Sequence, residues 1–325
     1  MDGRVIEVIE ALTAANRASP DGKIEHRLVD LRNLAFAALD KSGGLAAWPP
    51  PAADLHPDVA GIPEIGADEL TTDAIRSGIV GHGALIVRGL VPPARVARLV
   101  DDIDRTFTAR DAYFDGTPVK ETAPWYVPFE PHVGTATIGP IRKWVREGGG
   151  VLTAESPRSM FDLLDTFDAV GLTQPIAGYL GERPVLSAKK CTLRRVPLDI
   201  TADWHQDGAF LGHDIRVVNV WIALTHCGDT APGLDIVGGR LDDLVPTGTE
   251  GAWFDWSVGD AVARAMEHEL PIVRPIFDPG DVILFDELNL HRTAITPDMT
   301  EERYAIESWF FAPSHFPDSQ VPLVV

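Results

Sequence analysis

This chain of 325 residues has little cysteine, no long apolar run and a shortage of positive charge. Its 2 cysteines, Cys191 and Cys227, are too few for a disulfide framework and lack the paired spacing of a structural zinc site. A reducing compartment, the cytoplasm, is the expected setting. No apolar stretch approaches the ~20 residues that span a bilayer. The N-terminal MDGRVIEVIEALTAANRASPDGK carries acids early and lacks a long apolar centre, so it does not read as a signal peptide. Against 48 acidic residues stand 28 basic ones, a formal charge of -20 that repels polyphosphate and anionic lipid. Nucleic acid and membranes are therefore not expected as partners. There is no internal repeat and no low-complexity tract. What is present is a hydrophobic content of 45%, enough for a folded globular protein with a sizeable core.

Val5, Ile6, Val8, Ile9 and Leu12 recur at helical spacing, as do Leu28, Leu31, Leu34 and Leu39, which predicts two amphipathic helices over residues 1–46. The Pro-rich WPPPAADLHPDVAGIPEI (48–65) ends any helix before it. It divides the chain into a helical N-terminal extension with linker, 1–65, and a main domain, 66–325. GALIVRGL (83–90) reads as a buried strand, followed by a helix that sets Val96, Leu99, Val100, Ile103 and Phe107 on one face. A second helix opens at Ser156, a plausible cap, with Pro157 in the first turn. From about residue 184, short strands rich in β-branched and aromatic residues alternate with Gly, Pro and Asp, broken by one helical stretch at roughly 257–268. The fold class expected is mainly β, a barrel or jelly roll with flanking helices. In RVVNVWIALT, Val218, Val220, Ile222 and Leu224 form an apolar face, while Val217, Asn219, Trp221 and Ala223 form a mixed one suited to a barrel lumen.

Two of the 10 histidines stand in telling settings. In WHQDGAF, His205 and Asp207 are one residue apart, so an extended strand points both to the same side. Alone this pair means little, since an exposed His and Asp beside a turn look the same. In DPGDVILFDELNLHRTAI (278–295), a Pro-Gly turn and an apolar strand deliver His291 at the far end. Two imidazoles and a carboxylate on one face of an octahedral ion leave three positions open, the arrangement of non-haem Fe(II) oxygenases. An α-keto acid can take two of them and O₂ the third. Such a co-substrate also needs a cation for its far carboxylate, and arginine's fork suits it. Arg303, 12 residues after His291, begins the strand RYAIESWFF and reaches the site if the two strands form a hairpin. Its bland reading is a surface ion pair with Glu301 or Glu302. Thr293, on the same side as His291, is placed to donate a hydroxyl to the same carboxylate, and Arg292 should point away.

The series WHQDGAF, VNVWIALT, APGLDIVGGR, PGDVILFDELNLHRT and Arg303, over roughly 180–312, resembles the phytanoyl-CoA dioxygenase family of Fe(II)/2-oxoglutarate-dependent oxygenases, with GALIVRGLVPPARVARLV (83–100) as its opening strand and helix. The resemblance implies a cupin-like double-stranded β-helix (jelly roll) core, His205, Asp207 and His291 as iron ligands, and Arg303 with Thr293 holding 2-oxoglutarate. It also implies that Trp221 lines the co-substrate pocket, with ordinary core packing an equal alternative, and that Thr192 on the preceding strand is a further lining candidate. Gly238-Gly239-Arg240 departs from the family's usual Gly-Ser-His. Related halogenases lack the ligand carboxylate, so Asp207 disfavours halogenation. The function implied is oxidation, foremost hydroxylation, of a C–H bond in a small molecule such as a natural product or other secondary metabolite, with O₂ and 2-oxoglutarate consumed and succinate and CO₂ released. Two other readings keep the barrel: a zinc- or manganese-dependent isomerase or hydrolase, against which Arg303 speaks, and a non-catalytic metal-binding module, against which the intact ligand set speaks. The stretch 124–150 reads as a long loop over the barrel mouth, and His132 and His213 are further candidate contacts.

Overall fold

The computed structural model describes residues 4–199 and 202–325; Met1 to Gly3, at the head of the expected N-terminal helix, and Ile200 and Thr201 lie outside them. Two helices, α1 (Arg4–Ala18) and α2 (Gly22–Ala35), come first, and a 3-10 turn (Phe36–Ala38) and a long connecting segment lead to β1 (Glu64–Gly66), α3 (Thr72–Arg76) and β2 (Ala84–Arg88). Next come α4 (Pro93–Phe114), α5 (Val119–Thr122), α6 (Gly139–Glu147), β3 (Gly150–Leu152), α7 (Pro157–Ala169) and α8 (Thr173–Leu180). The rest is mostly strand: β4 (Val185–Val196), α9 (Gly208–Leu211), β5 (Val217–Ala223), β6 (Gly233–Val237), α10 (Asp260–Met266), β7 (Ile272–Val273), β8 (Val282–Phe285), β9 (His291–Ala294), β10 (Arg303–Phe311) and β11 (Pro322–Val324).

The strands form two sheets, one running β1-β2-β8-β5-β10-β4-β11 with β3 also on β4, the other β7-β6-β9. Together they make the double-stranded β-helix, with helices on the outer face of the larger sheet. Pleating explains the division of the core, because alternate residues of a strand face opposite ways. Leu85 and Val87 of β2, Val282 and Leu284 of β8, and Ile306 and Phe310 of β10 pack outward with buried residues of α4, α7 and α8. Their neighbours Ala84, Ile86, Ile283, Phe285, Ala305 and Trp309 pack inward between the sheets. The expected faces of β5 follow the same rule: Val218, Val220, Ile222 and Leu224 join the outer cluster and Val217, Trp221 and Ala223 the inner one.

Both expected N-terminal helices form, but Val8 and Leu34 of their apolar series are exposed and Leu39 lies beyond α2. On α4, Val96, Leu99, Ile103 and Phe107 are buried and Pro93 sits in the first turn. At α7, Ser156 occupies the cap position before Pro157, but its hydroxyl does not cap. It joins a buried trio, 2.8 Å from both Thr106 Oγ1 and Ser159 Oγ, which ties α7 to α4. Arg32 and Asn33 fix α2 to the C-terminal strand by donating to Val324 O and Pro322 O, each at 2.8 Å. The expected turn before β8 is present. Gly280 holds it at φ +100°, where a Cβ would stand 2.3 Å from Val91 O. No helix among the described residues is long and apolar enough to cross a membrane.

Candidate metal centre

The pleat expected to align His205 with Asp207 is not what brings them together. His205 is extended, in an isolated antiparallel bridge with His291 whose two backbone hydrogen bonds are 3.0 and 3.1 Å long. Asp207 instead has helical backbone angles, φ -63° and ψ -23°, at the start of α9. A turn of chain, not a strand, swings its carboxylate back to within 4.0 Å of His205 Nε2. His291 also departs from expectation. The strand DVILF ends at Phe285, and after a short loop His291 opens β9 in the other sheet. The imidazole centroids are 4.5 Å apart, and one donor atom from each of the three residues lies within 4.8 Å of the others. This is the one such cluster among the described residues.

The donor set fits a divalent ion. His205 Nδ1 is 2.9 Å from Asp203 O, and His291 Nδ1 is 3.1 Å from Asn289 O. A backbone carbonyl can only accept, so each Nδ1 carries the proton and each Nε2 keeps its lone pair for a metal. Burial, with His205 adjacent, pushes the His291 pKa down to about 4, which keeps this imidazole neutral at physiological pH. Gln206, between the two, turns the other way and is fully buried, bonded to the backbone at Asp243, Val245 and Leu288.

The cluster opens into a cavity of about 370 Å³. His205, His291, Trp221, Thr293 and Arg303 all line it. Arg303 is 3% exposed, donates to Pro232 O and Gly233 O at 3.3 and 2.9 Å, and lies 5.3 Å over the Trp221 ring. No carboxylate meets it among the described residues, and its Nε has no partner. Burial lowers its pKa to about 10, so it remains a cation at neutral pH. A buried cation without an anion, in a cavity also lined by two of the candidate metal donors, His205 and His291, fits a dicarboxylate co-substrate. The route by which it arrives differs from the expected hairpin: β9 pairs with β6, whereas β10 pairs with β4 and β5, so Thr293 and Arg303 approach from opposite sheets.

Other expected residues lie elsewhere. Thr192 does not line this cavity; its hydroxyl is held between Glu307, 3.2 Å away, and Arg194 Nε at 3.1 Å. Arg292 points away, as expected, to Asp235 and Asp260. His132 is 2.9 Å from Asp30, and His213 is exposed and lines no cavity described. The stretch 124–150 is no structureless loop, since residues 139–147 form α6, which sets Trp144 and Glu147 on the cavity wall. Arg240, where the family pattern differs, makes a buried ion pair with Asp286 at the loop leading to His291.

Asn219, on the face expected to meet the lumen, lines the cavity with a buried, unpartnered Oδ1. Lys190 and Glu307 also line it and escaped the sequence reading. Lys190 Nζ is 3.1 Å from Asp207 Oδ1 and 3.8 Å from Glu307. Burial alone would raise the Glu307 pKa, but Lys190, Arg194 and the Trp309 N–H outweigh it and hold it at about 2. Glu307 had a legible signal, since it shares with Arg303 one face of β10, four residues on.

A double-stranded β-helix carrying a two-histidine, one-carboxylate cluster is the arrangement associated with mononuclear non-haem iron oxygenases. Residues 197–295 match the family model of phytanoyl-CoA dioxygenase (PhyH), a span that includes the whole cluster. Among solved structures, AviO1 from Streptomyces viridochromogenes Tue57 is 21% identical with a TM-score of 0.50, covering 76% of this chain and 98% of its own, a likeness of fold. EctD from S. alaskensis, solved with 2-oxoglutarate and 5-hydroxyectoine, is 17% identical with a TM-score of 0.49, covering 72% of this chain and 73% of its own. The 2-oxoglutarate-dependent carbocyclase SnoK from nogalamycin biosynthesis is 15% identical with a TM-score of 0.48, covering 76% and 86%. No curated protein matches the chain.

Proposed function

We propose that the chain hydroxylates a C–H bond of a small molecule, of the natural-product or secondary-metabolite kind, with His205, Asp207 and His291 holding Fe(II) and Arg303 with Thr293 holding the far carboxylate of 2-oxoglutarate. The observation that carries the reading is Arg303, a buried cation with no carboxylate partner among the described residues, in the cavity that His205 and His291 also line. When bound, Fe(II) supplies the redox steps by which O₂ splits 2-oxoglutarate into succinate and CO₂ and oxidises the substrate.

The chain's own residues orient and exclude. Trp221 backs the Arg303 guanidinium and keeps water from it, which strengthens the pairing with a carboxylate. Lys190 engages one oxygen of Asp207, which favours a one-oxygen ligand and keeps positions open. Glu307 offsets the Lys190 and Arg194 charges, so that a second anion does not lodge beside the metal. The cavity volume suits one co-substrate and the reactive end of a substrate. The test is oxygen-dependent release of succinate from 2-oxoglutarate by the Fe(II)-loaded protein, which Asp207→Ala should abolish. Tight zinc binding with no succinate formed would favour a zinc isomerase or hydrolase instead.

A further inference from the structure

Lys189 and Lys190 are consecutive in β4 and should face opposite sides of the sheet. Both nevertheless line a second cavity, of about 360 Å³. The cause is a bulge: Ser308 of β10 pairs with Cys191 but Phe310 pairs with Leu186, so residues 187–190 all stand opposite Trp309. Bulges beside active sites re-aim side chains in this way. This one is pinned by Ser187 Oγ, which donates to Gln320 Oε1 at 2.7 Å, and by Ala188 N–H, which donates to Val321 O at 2.8 Å.

The second cavity is continuous with the metal cavity, sharing Trp144, Lys190, Arg194, Phe210, Trp256 and Glu307. Its wall is aromatic. Phe254 and Trp256 stack with centroids 4.9 Å apart and planes 3° from parallel, Trp144 meets Phe254 edge-on at 5.5 Å, and Phe210 meets Trp256 at 5.2 Å. Phe210 in turn lies 6.3 Å from the His205 ring, so the wall leads to the metal donors. Three of these rings are left in solvent, Trp144 51%, Phe254 39% and Phe210 37% exposed, a concentration that marks a binding surface. The cations are not all matched. Lys190 has Asp207 and Glu307, and Arg194 has Glu307. Lys189 Nζ meets only the carbonyl of Ser319, at 2.7 Å, and no carboxylate among the described residues.

We infer that this outer cavity is the substrate site and takes a flat, aromatic or conjugated small molecule bearing one anionic group, a carboxylate or its equivalent, with the rings on Trp144, Phe254 and Trp256 and the anion on Lys189. The inference rests on the oxygenase reading in calling the occupant a substrate, but its binding test does not. The full-length protein, kept metal-free with a chelator, is titrated calorimetrically with 2-naphthoate and with its neutral relative 2-naphthylmethanol. The acid should bind about tenfold tighter than the alcohol. Lys189→Gln should remove that preference and leave the alcohol's affinity as it was, and Trp144→Ala should weaken both, with circular dichroism checking the fold. Equal affinities, a preference that survives Lys189→Gln, or binding indifferent to Trp144→Ala overturns the inference. The expected pattern together with no succinate formation would place the error in the oxygenase reading, and succinate formation without the pattern would place it here.

Discussion

Gln206 stands between two residues proposed to hold the metal, yet its side chain serves the backbone. Its amide donates to Leu288 O at 2.7 Å and Asp243 O at 3.1 Å, and its carbonyl accepts from Val245 N–H at 2.7 Å. Gln206→Leu leaves three part-buried backbone groups without their partner and should cost about 1–3 kcal/mol in denaturant unfolding. It should also weaken metal affinity by about 10–100-fold, because the ligands lose their support; unchanged metal titrations would contradict this. Arg303→Lys keeps a charge but loses the fork, so 2-oxoglutarate affinity should fall at least about tenfold while zinc affinity is untouched. At this scale the sequence was legible where chemistry is local. The His-x-Asp pair, His291 and Arg303 declare themselves by residue type and order. Lys190 does not, because its place beside Asp207 depends on a bulge that no spacing in VLSAKKCTL announces. Thr192 lies in regular register opposite Glu307, and it lines the second cavity, not the one that holds Arg303.

Among the elements, β9 shows the limit of reading strands one at a time. VILF and HRTA are separated by a loop only 5 residues long, from 286 to 290, yet belong to different sheets. The buried Arg240 and Asp286 pair marks that corner, and neither residue suggests it in sequence. In 124–150 the density of Pro and Gly outweighed the short helical period of IRKWVRE, which packs Val145 inward and presents Trp144 to the cavities. The α4 and α7 interface makes a separate prediction. Asp102 on α4 faces Asp162 on α7, with Arg98 and Arg158 nearby. Burial, then the Asp162 charge, raises the Asp102 pKa from 3.8 to about 8. Between those values the unfolded chain has lost a proton that the folded chain keeps, so this group's contribution makes stability fall as pH rises across the window. Asp102→Asn should flatten that slope and stabilise the protein by roughly 1–3 kcal/mol near pH 8, with less gain near pH 5. Thermal melts across pH check it, and a variant less stable at pH 8 would contradict it.

Across the whole molecule, a chain of net charge -20 gathers Lys189, Lys190, Arg194 and Arg303 around two joined cavities. Global repulsion of polyanions and local attraction of small anions coexist because the cavity cations are close to their ligand while the acids are spread over the surface. The mainly β architecture was legible from short strands between turn residues, and the inner and outer faces of β5 from alternation alone. Which strands pair was not, since pairing is set by long-range closure of the barrel and not by neighbours in sequence. The reading of a single iron and a single keto acid sharing one cavity can be put to an anaerobic titration of the metal-free protein with Fe(II) and then 2-oxoglutarate. A visible charge-transfer band should grow to one equivalent of each per chain and be missing in Asp207→Ala. Iron binding with no band on adding 2-oxoglutarate, or a band undiminished in Asp207→Ala, would contradict it.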